Sequence, residues 1–86
     1  MPTVAIVDGV RIMIFPFDHE PPHVHAFGAD FRLKLAIAEA SVLEVRGVIG
    51  PAMLRRLQGW MMARRAKLNE LWIDAAAGRP IGKATE

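Results

Sequence analysis

The sequence predicts an α+β fold, a small antiparallel sheet of four to five strands packed against one long C-terminal helix. Three observations predict it. Asp8-Gly9 separates two apolar, partly β-branched runs in TVAIVDGVRIMIF, and a tight hairpin turn needs positive φ at both central positions, which Asp and Gly tolerate. Residues 31–37, FRLKLAI, alternate Phe31, Leu33, Leu35 and Ile37 with Arg32, Lys34 and Ala36, the pattern of a strand with one buried and one wet face. From Pro51 onward the hydrophobic period changes from two to about 3.6.

Taken in order, strands are expected at 3–7 and 10–16 around the Asp8-Gly9 turn. A loop carrying Pro21 and Pro22 follows. HVHAF (23–27) reads as the third strand, GAD as its turn and 31–37 as the fourth strand. SVLEV (41–45) supplies a short fifth strand before the Gly47 to Gly50 break. Pro51 suits the first position of a helix, where its missing N–H costs nothing. Met53, Leu54, Leu57, Met61, Leu68, Leu71, Trp72 and Ala75 then recur at three- and four-residue spacings until Gly78 and Pro80, so the helix is expected over 51–78 with a tail at 79–86. Gly59 inside it costs about 1 kcal/mol relative to Ala. A helix with one apolar stripe and a sheet with one apolar face satisfy each other, which makes helix-across-sheet the expected packing. The whole, 1–86, is expected to form a single domain that buries only about 60% of its unfolded surface.

Composition excludes several chemistries. There is no cysteine, so disulfides, thiolate nucleophiles and zinc–sulfur sites are out, and any metal must be held by His, Asp or Glu. The N-terminal apolar run is broken by Asp8 and Arg11 and lacks a basic leader, so neither a signal peptide nor a membrane span is expected; the expected location is cytoplasmic, without a membrane partner. Net charge is +2, but residues 1–50 sum to −2 and residues 51–86 to +4. The basic half keeps nucleic acid open as a partner class, although +4 spread around a helix is commonly a solvated face.

All three histidines lie in FDHEPPHVHA, Phe17 to Ala26. His23 and His25 sit two apart in a strand, so both rings leave the same face with Cα atoms about 7 Å apart, close enough to chelate one ion. His19 is the candidate third ligand of a divalent metal, although an extended Pro-Pro segment would hold it about 12 Å from His23; Asp18 or Asp30 could supply oxygen instead. Without metal, His23 and His25 could act as acid and base on a phosphodiester. Neither serine nor cysteine accompanies them as a nucleophile, Ser41 being the only serine. The plainer alternative is a stiff turn carrying exposed imidazoles. Arg64 falls on the apolar stripe, where it must either snorkel outward or pair with an acid such as Asp18 or Glu20. The candidate catalytic residues are therefore His23, His25 and Arg64, and the candidate binding residues Asp18, His19, Glu20 and Arg65. Trp60 and Trp72 read as core or interface anchors.

The residues MPT at the start, DHEPPHVHA from Asp18 to Ala26, Gly28, and the helix LQGWMMARRAKLNELW followed by GRPI resemble a family of small uncharacterised bacterial proteins, a domain-of-unknown-function family. The likeness runs nearly end to end, and its Asp-His-x-Pro-Pro-His-x-His signature is specific. The resemblance implies a compact α+β domain whose gene often lies beside a small partner gene, as in toxin–antitoxin pairs. It also implies two departures: relatives commonly have a histidine where Arg64 stands, and an acid where this chain has Gly59. If that histidine belonged to a shared site, its loss would weaken a metal reading.

Three functional classes follow. The first is an interaction module, one half of a toxin–antitoxin-like pair that binds a small protein partner through its sheet edge or helix and uses the histidine loop for recognition. The second is a nuclease-like toxin with His23 and His25 as acid–base groups or metal ligands and Arg64 or Arg65 on phosphate. The third is a DNA-contacting regulator using the basic helix. A homodimer through the fifth strand or the helix surface is open in each.

Overall fold

The computed structural model of the protein describes residues 3–84. Met1 and Pro2 of the Met-Pro-Thr motif and Thr85 and Glu86 of the tail lie outside the described residues. The architecture is α+β. β1 (Thr3–Val7) and β2 (Val10–Met13) form the hairpin, and Asp8 and Gly9 take φ of 50° and 80° at its turn. β3 (His23–Phe27), β4 (Phe31–Ala36) and β5 (Val42–Gly47) complete an antiparallel sheet in the order β1-β2-β3-β4-β5. β2 stops at Met13 rather than residue 16, because Pro16 has no amide for a ladder and Phe17 turns the chain with φ 58°. β5 runs to Gly47, two residues beyond the expected 45; next to its end, the Asp30 carbonyl accepts the Val48 amide at 3.0 Å.

The expectation of one long helix is corrected. Two helices follow the sheet, α1 (Pro51–Ala63) and α2 (Arg65–Ala76), broken at Arg64, which leaves helical geometry at φ −120°, ψ 22°. A straight helix over this span would run about 39 Å at the α-helical rise, longer than the 34 Å longest dimension of the molecule. The break lets Leu57 and Met61 of one segment and Leu68, Leu71, Trp72 and Ala75 of the other all reach the same core. Side-chain tethers hold the helices to the sheet's turns: Arg56 to the Asp8 carboxylate, Gln58 to the Ala40 carbonyl and Arg65 to the Ala38 carbonyl, each at 2.9 Å. Among the described residues no helix is long and apolar enough to cross a membrane.

Register assigns the faces, since directly opposed residues of an antiparallel sheet share a side. Ile12, Ala26 and Leu33 form one row, with Val24 and Leu35 beside it, and all are buried beneath the helices. The rows Met13–His25–Lys34–Glu44 and Arg11–Phe27–Arg32–Arg46 occupy the other face. Residues 14–22 leave the end of β2 and fold over part of that second face, where Phe15 meets His25 and Asp18 meets both strand histidines.

Gly47 tests this register. Its φ is +83°, and an added Cβ would collide with the Asp30 carbonyl oxygen. Gly47→Ala is expected to lower the unfolding free energy by about 1–3 kcal/mol, measured by urea denaturation; an unchanged midpoint would mean that β4 and β5 are not paired in this way.

Candidate functional site

The alternation of β3 places His23 and His25 on the face away from the helical core, with ring centroids 5.0 Å apart. The preceding loop brings Asp18 to meet them. It is anchored at both ends: the Phe17 amide donates to the Ala75 carbonyl at the end of α2, and the Pro22 carbonyl accepts the Ile37 amide, each at 3.0 Å. Between these anchors the Glu20–Pro21 peptide is cis. Asp18 Oδ1 accepts the His19 amide at 2.8 Å, which orients the carboxylate, and Oδ2 lies 3.0 Å from His23 Nε2 and 3.2 Å from His25 Nε2.

One oxygen thus serves two imidazoles. His23 Nδ1 faces the Pro21 carbonyl at 2.7 Å, and a carbonyl can only accept, so Nδ1 carries the proton. That leaves Nε2 of His23 pointing at a carboxylate and beside a second ring nitrogen. Three atoms that can each act as a ligand therefore converge, all within 4.8 Å of one another, and the approach of His23 Nε2 to the carboxylate is favourable only with a proton or a cation between them. His23 is 1% exposed, and Trp72 packs against its ring at a centroid distance of 5.1 Å. The site opens on the other side, where the His25 side chain keeps 20% of its surface and lies edge-on to Phe15.

Outward from His25 a groove is lined by Arg32, Lys34, Glu44 and Arg46. Glu44 is held below its usual carboxylate range by hydrogen bonding from Arg46 and by the charge of Lys34. It links those two cations, at 3.2 and 3.5 Å, while the Arg32 guanidinium lies over Phe27. These sheet-face cations were not identified from the sequence as site residues, although the strand pattern contained the signal: Lys34 is the direct cross-strand partner of His25.

The other expected site residues are not among the converging donors. His19 lies beside the cluster, its ring centroid 5.7 Å from that of His23 and its Nε2 3.7 Å from Asp18 Oδ1, but its side chain is 77% exposed, its Nδ1 turns to the Glu20 carbonyl, and the three converging donors are Asp18, His23 and His25. Arg64 does not pair with Asp18 or Glu20. Its guanidinium lies over the Trp60 ring at 4.9 Å and reaches the Trp60 carbonyl, so it snorkels at the helix break. Arg65 is spent on Ala38, Glu20 borders a separate groove with Pro22, Trp72 and Ile73, and Asp30 is exposed in the β3–β4 turn.

A family model described as a domain of unknown function, DUF4160, matches residues 9–73, which include the whole site. No curated protein and no solved structure matches the chain.

Two pKa shifts give the site a pH signature. Burial pushes the Asp18 carboxyl up, but the His19 amide and the two imidazoles outweigh it, and the net shift is downward. Burial pushes His25 down, more than the Asp18 hydrogen bond raises it. For both groups the unfolded chain binds protons more readily than the folded one, so their stabilisation is present at neutral pH and is lost on acidification. The metal-free protein is expected to lose stability first as pH falls below about 6.5, the unfolded histidine value, and again below about 3.9, the unfolded aspartate value. Denaturant midpoints at stepped pH check this, and Asp18→Asn should shrink the second loss to the share left by Glu44, whose carboxyl is also held low; a flat profile from neutral to acid would contradict the geometry.

Proposed function

The chain belongs to the DUF4160 family, a domain of unknown function, and we propose that this member is a small bacterial phosphodiester hydrolase, the toxin-like component of a two-gene pair, that binds a divalent metal ion through Asp18, His23 and His25. The observation that carries this reading is the convergence of one carboxylate oxygen and two imidazole nitrogens within 4.8 Å. Two histidines and one carboxylate form a donor set suited to zinc and similar transition ions, and three protein ligands leave positions for water or substrate.

The metal-free alternative fits less well. In-line displacement at phosphorus places the acid and the base on opposite sides of the reacting centre. Here both Nε2 atoms aim at the same oxygen, and the fully buried His23 side chain has no path to a substrate. The Pro21 carbonyl on His23 Nδ1 supports the metal reading further, since metal-bound histidines usually donate their second ring N–H to such an acceptor, which fixes the tautomer. A bound divalent ion lowers the pKa of its water and polarises a phosphoryl oxygen. The chain's own residues supply the rest. Phe15 and Trp72 pack against the histidine rings and limit water, and Arg32, Lys34 and Arg46 offer a phosphodiester its counter-charge beside His25.

A second reading, an interaction module, draws support from a different feature. Pro22, Trp72, Ile73 and Ala76 line an apolar groove between the histidine loop and α2, and Ile73 is 59% exposed. A small protein partner encoded beside this chain would dock there, and Ile73→Asp would abolish its co-purification without touching the triad.

Equilibrium dialysis against zinc and manganese, followed by cleavage of labelled single-stranded RNA and DNA, tests the first reading. One ion per chain is expected. His23→Ala and His25→Ala should each weaken metal binding by more than about a hundredfold, beyond the cost of losing a group that only orients a ligand, and His23→Ala should relieve growth arrest on expression. Lys34→Ala should keep the metal but bind nucleic acid more weakly, with a salt dependence reduced by about one unit of slope. A protein that retains no ion, or whose cleavage survives chelation, would refute the proposal.

A further inference from the structure

The two edges of the sheet are treated differently. At the β1 edge the tail folds back: Ala84 donates its amide to the Val4 carbonyl at 2.8 Å and is itself buried. At the β5 edge all six residues are exposed, and among the described residues no strand pairs with the outer side. The exposed surface combines apolar side chains, Val42 40%, Leu43 43% and Val45 50% exposed, with Val48 just beyond the strand at 78%, and two charges, Glu44 and Arg46. Natural edge strands are commonly blunted by lysine, proline or a covering segment. Between residues 42 and 48 there is neither lysine nor proline.

The two charges of this strand identify what covers it. Within β5 (Val42–Gly47), a two-fold axis through Val45 places Val45 opposite itself and Glu44 opposite Arg46. Each copy then offers an acid where the other offers a base, twice, and valine where the other offers valine. Moving the axis by one residue destroys this match: centred on Glu44 it opposes two carboxylates, and centred on Arg46 two guanidinium groups. Like charges directly opposed across strands are destabilising, so the strand carries both an attractive register and penalties for its neighbours.

We infer that the protein is a homodimer formed by antiparallel β5–β5 pairing about Val45, which joins two five-stranded sheets into one. The Arg46–Glu44 contact within the strand, now 3.2 Å, gives way to two pairs across the axis. That axis stands perpendicular to the sheet, so both histidine grooves open on the same face, with the His25 positions about 24 Å apart at the usual strand spacing. Dimerisation requires no metal, so it stands or falls independently of the proposed hydrolysis.

Sedimentation equilibrium of the full chain in chelator-containing buffer tests the inference. Wild type is expected to dimerise. Glu44→Arg and Arg46→Glu, each setting two like-charged pairs in opposition, should weaken self-association by about tenfold, and the double reversal should regain it. Val45→Lys should give monomer, with an unchanged circular dichroism spectrum confirming that this exposed position leaves the fold intact. A wild type that stays monomeric, a dimer indifferent to the single reversals and to Val45→Lys, or a double reversal that regains nothing would overturn it.

Discussion

The second carboxylate oxygen of Asp18 is the point on which the site depends. It is the acceptor that two Nε2 atoms share, and it comes from a loop rather than from the strand that carries the rings. A buried imidazole with a carbonyl on Nδ1 and nothing on Nε2 would be an unsatisfied polar group, at a cost of roughly 1–3 kcal/mol. Asp18 removes that cost for His23, and in doing so fixes where residues 14–22 must lie. The loop's two backbone anchors, at Ala75 and Ile37, hold the carboxylate at that spot. Loop, strand and α2 therefore share one geometric requirement, and it concerns a polar cluster rather than the hydrophobic core.

That requirement explains how a sheet of ordinary size acquires two different faces. The helices cover one face with aliphatic side chains, as expected for a sheet that turns one side to the core. On the other face Met13 and Ala36 are buried although the helical core lies across the sheet from them, because the histidine loop covers that end. Away from the loop the same face turns charged, through Arg32, Lys34, Glu44 and Arg46. The junction between covered and open regions falls at His25, which is why this histidine keeps some surface and His23 keeps none. Trp72 links the two sides: it belongs to the core cluster, yet its ring also packs on His23. Residues of the helix stripe thus support the site from behind without contributing a ligand.

Much of this was legible in the sequence, for identifiable reasons. The hairpin followed from Asp8-Gly9, and the shared face of His23 and His25 from their spacing, because both are local properties of the backbone. The break at Arg64 was not legible: no proline or glycine occupies it, and its cause is the mismatch between helix length and the sheet beneath, a tertiary quantity. The third member of the cluster was ambiguous for a related reason. Extended geometry through Pro21 and Pro22 would hold His19 about 12 Å from His23, but the Glu20–Pro21 peptide is cis and the two rings lie 5.7 Å apart; which of Asp18 and His19 turns inward depends on anchors to Ala75 and Ile37, far away in sequence. The cations of the groove were hidden among the exposed positions of strands until register aligned them with His25.

The position of Arg64 bears on how the site relates to the family pattern. The resemblance implies a histidine there in relatives, and a histidine in that role would make this chain's arginine a lost metal ligand. The geometry argues otherwise. Residue 64 is the joint between α1 and α2, and its side chain lies along Trp60 rather than toward the triad. An imidazole, shorter than a guanidinium on its stem and just as able to rest on an indole face, would answer the same local need at the joint. The three donors meanwhile close their cluster without any group from the helices. A histidine at position 64 would then change how a helix break is packed, and the cluster of Asp18, His23 and His25 would not depend on it, because its three donors all lie between Asp18 and His25.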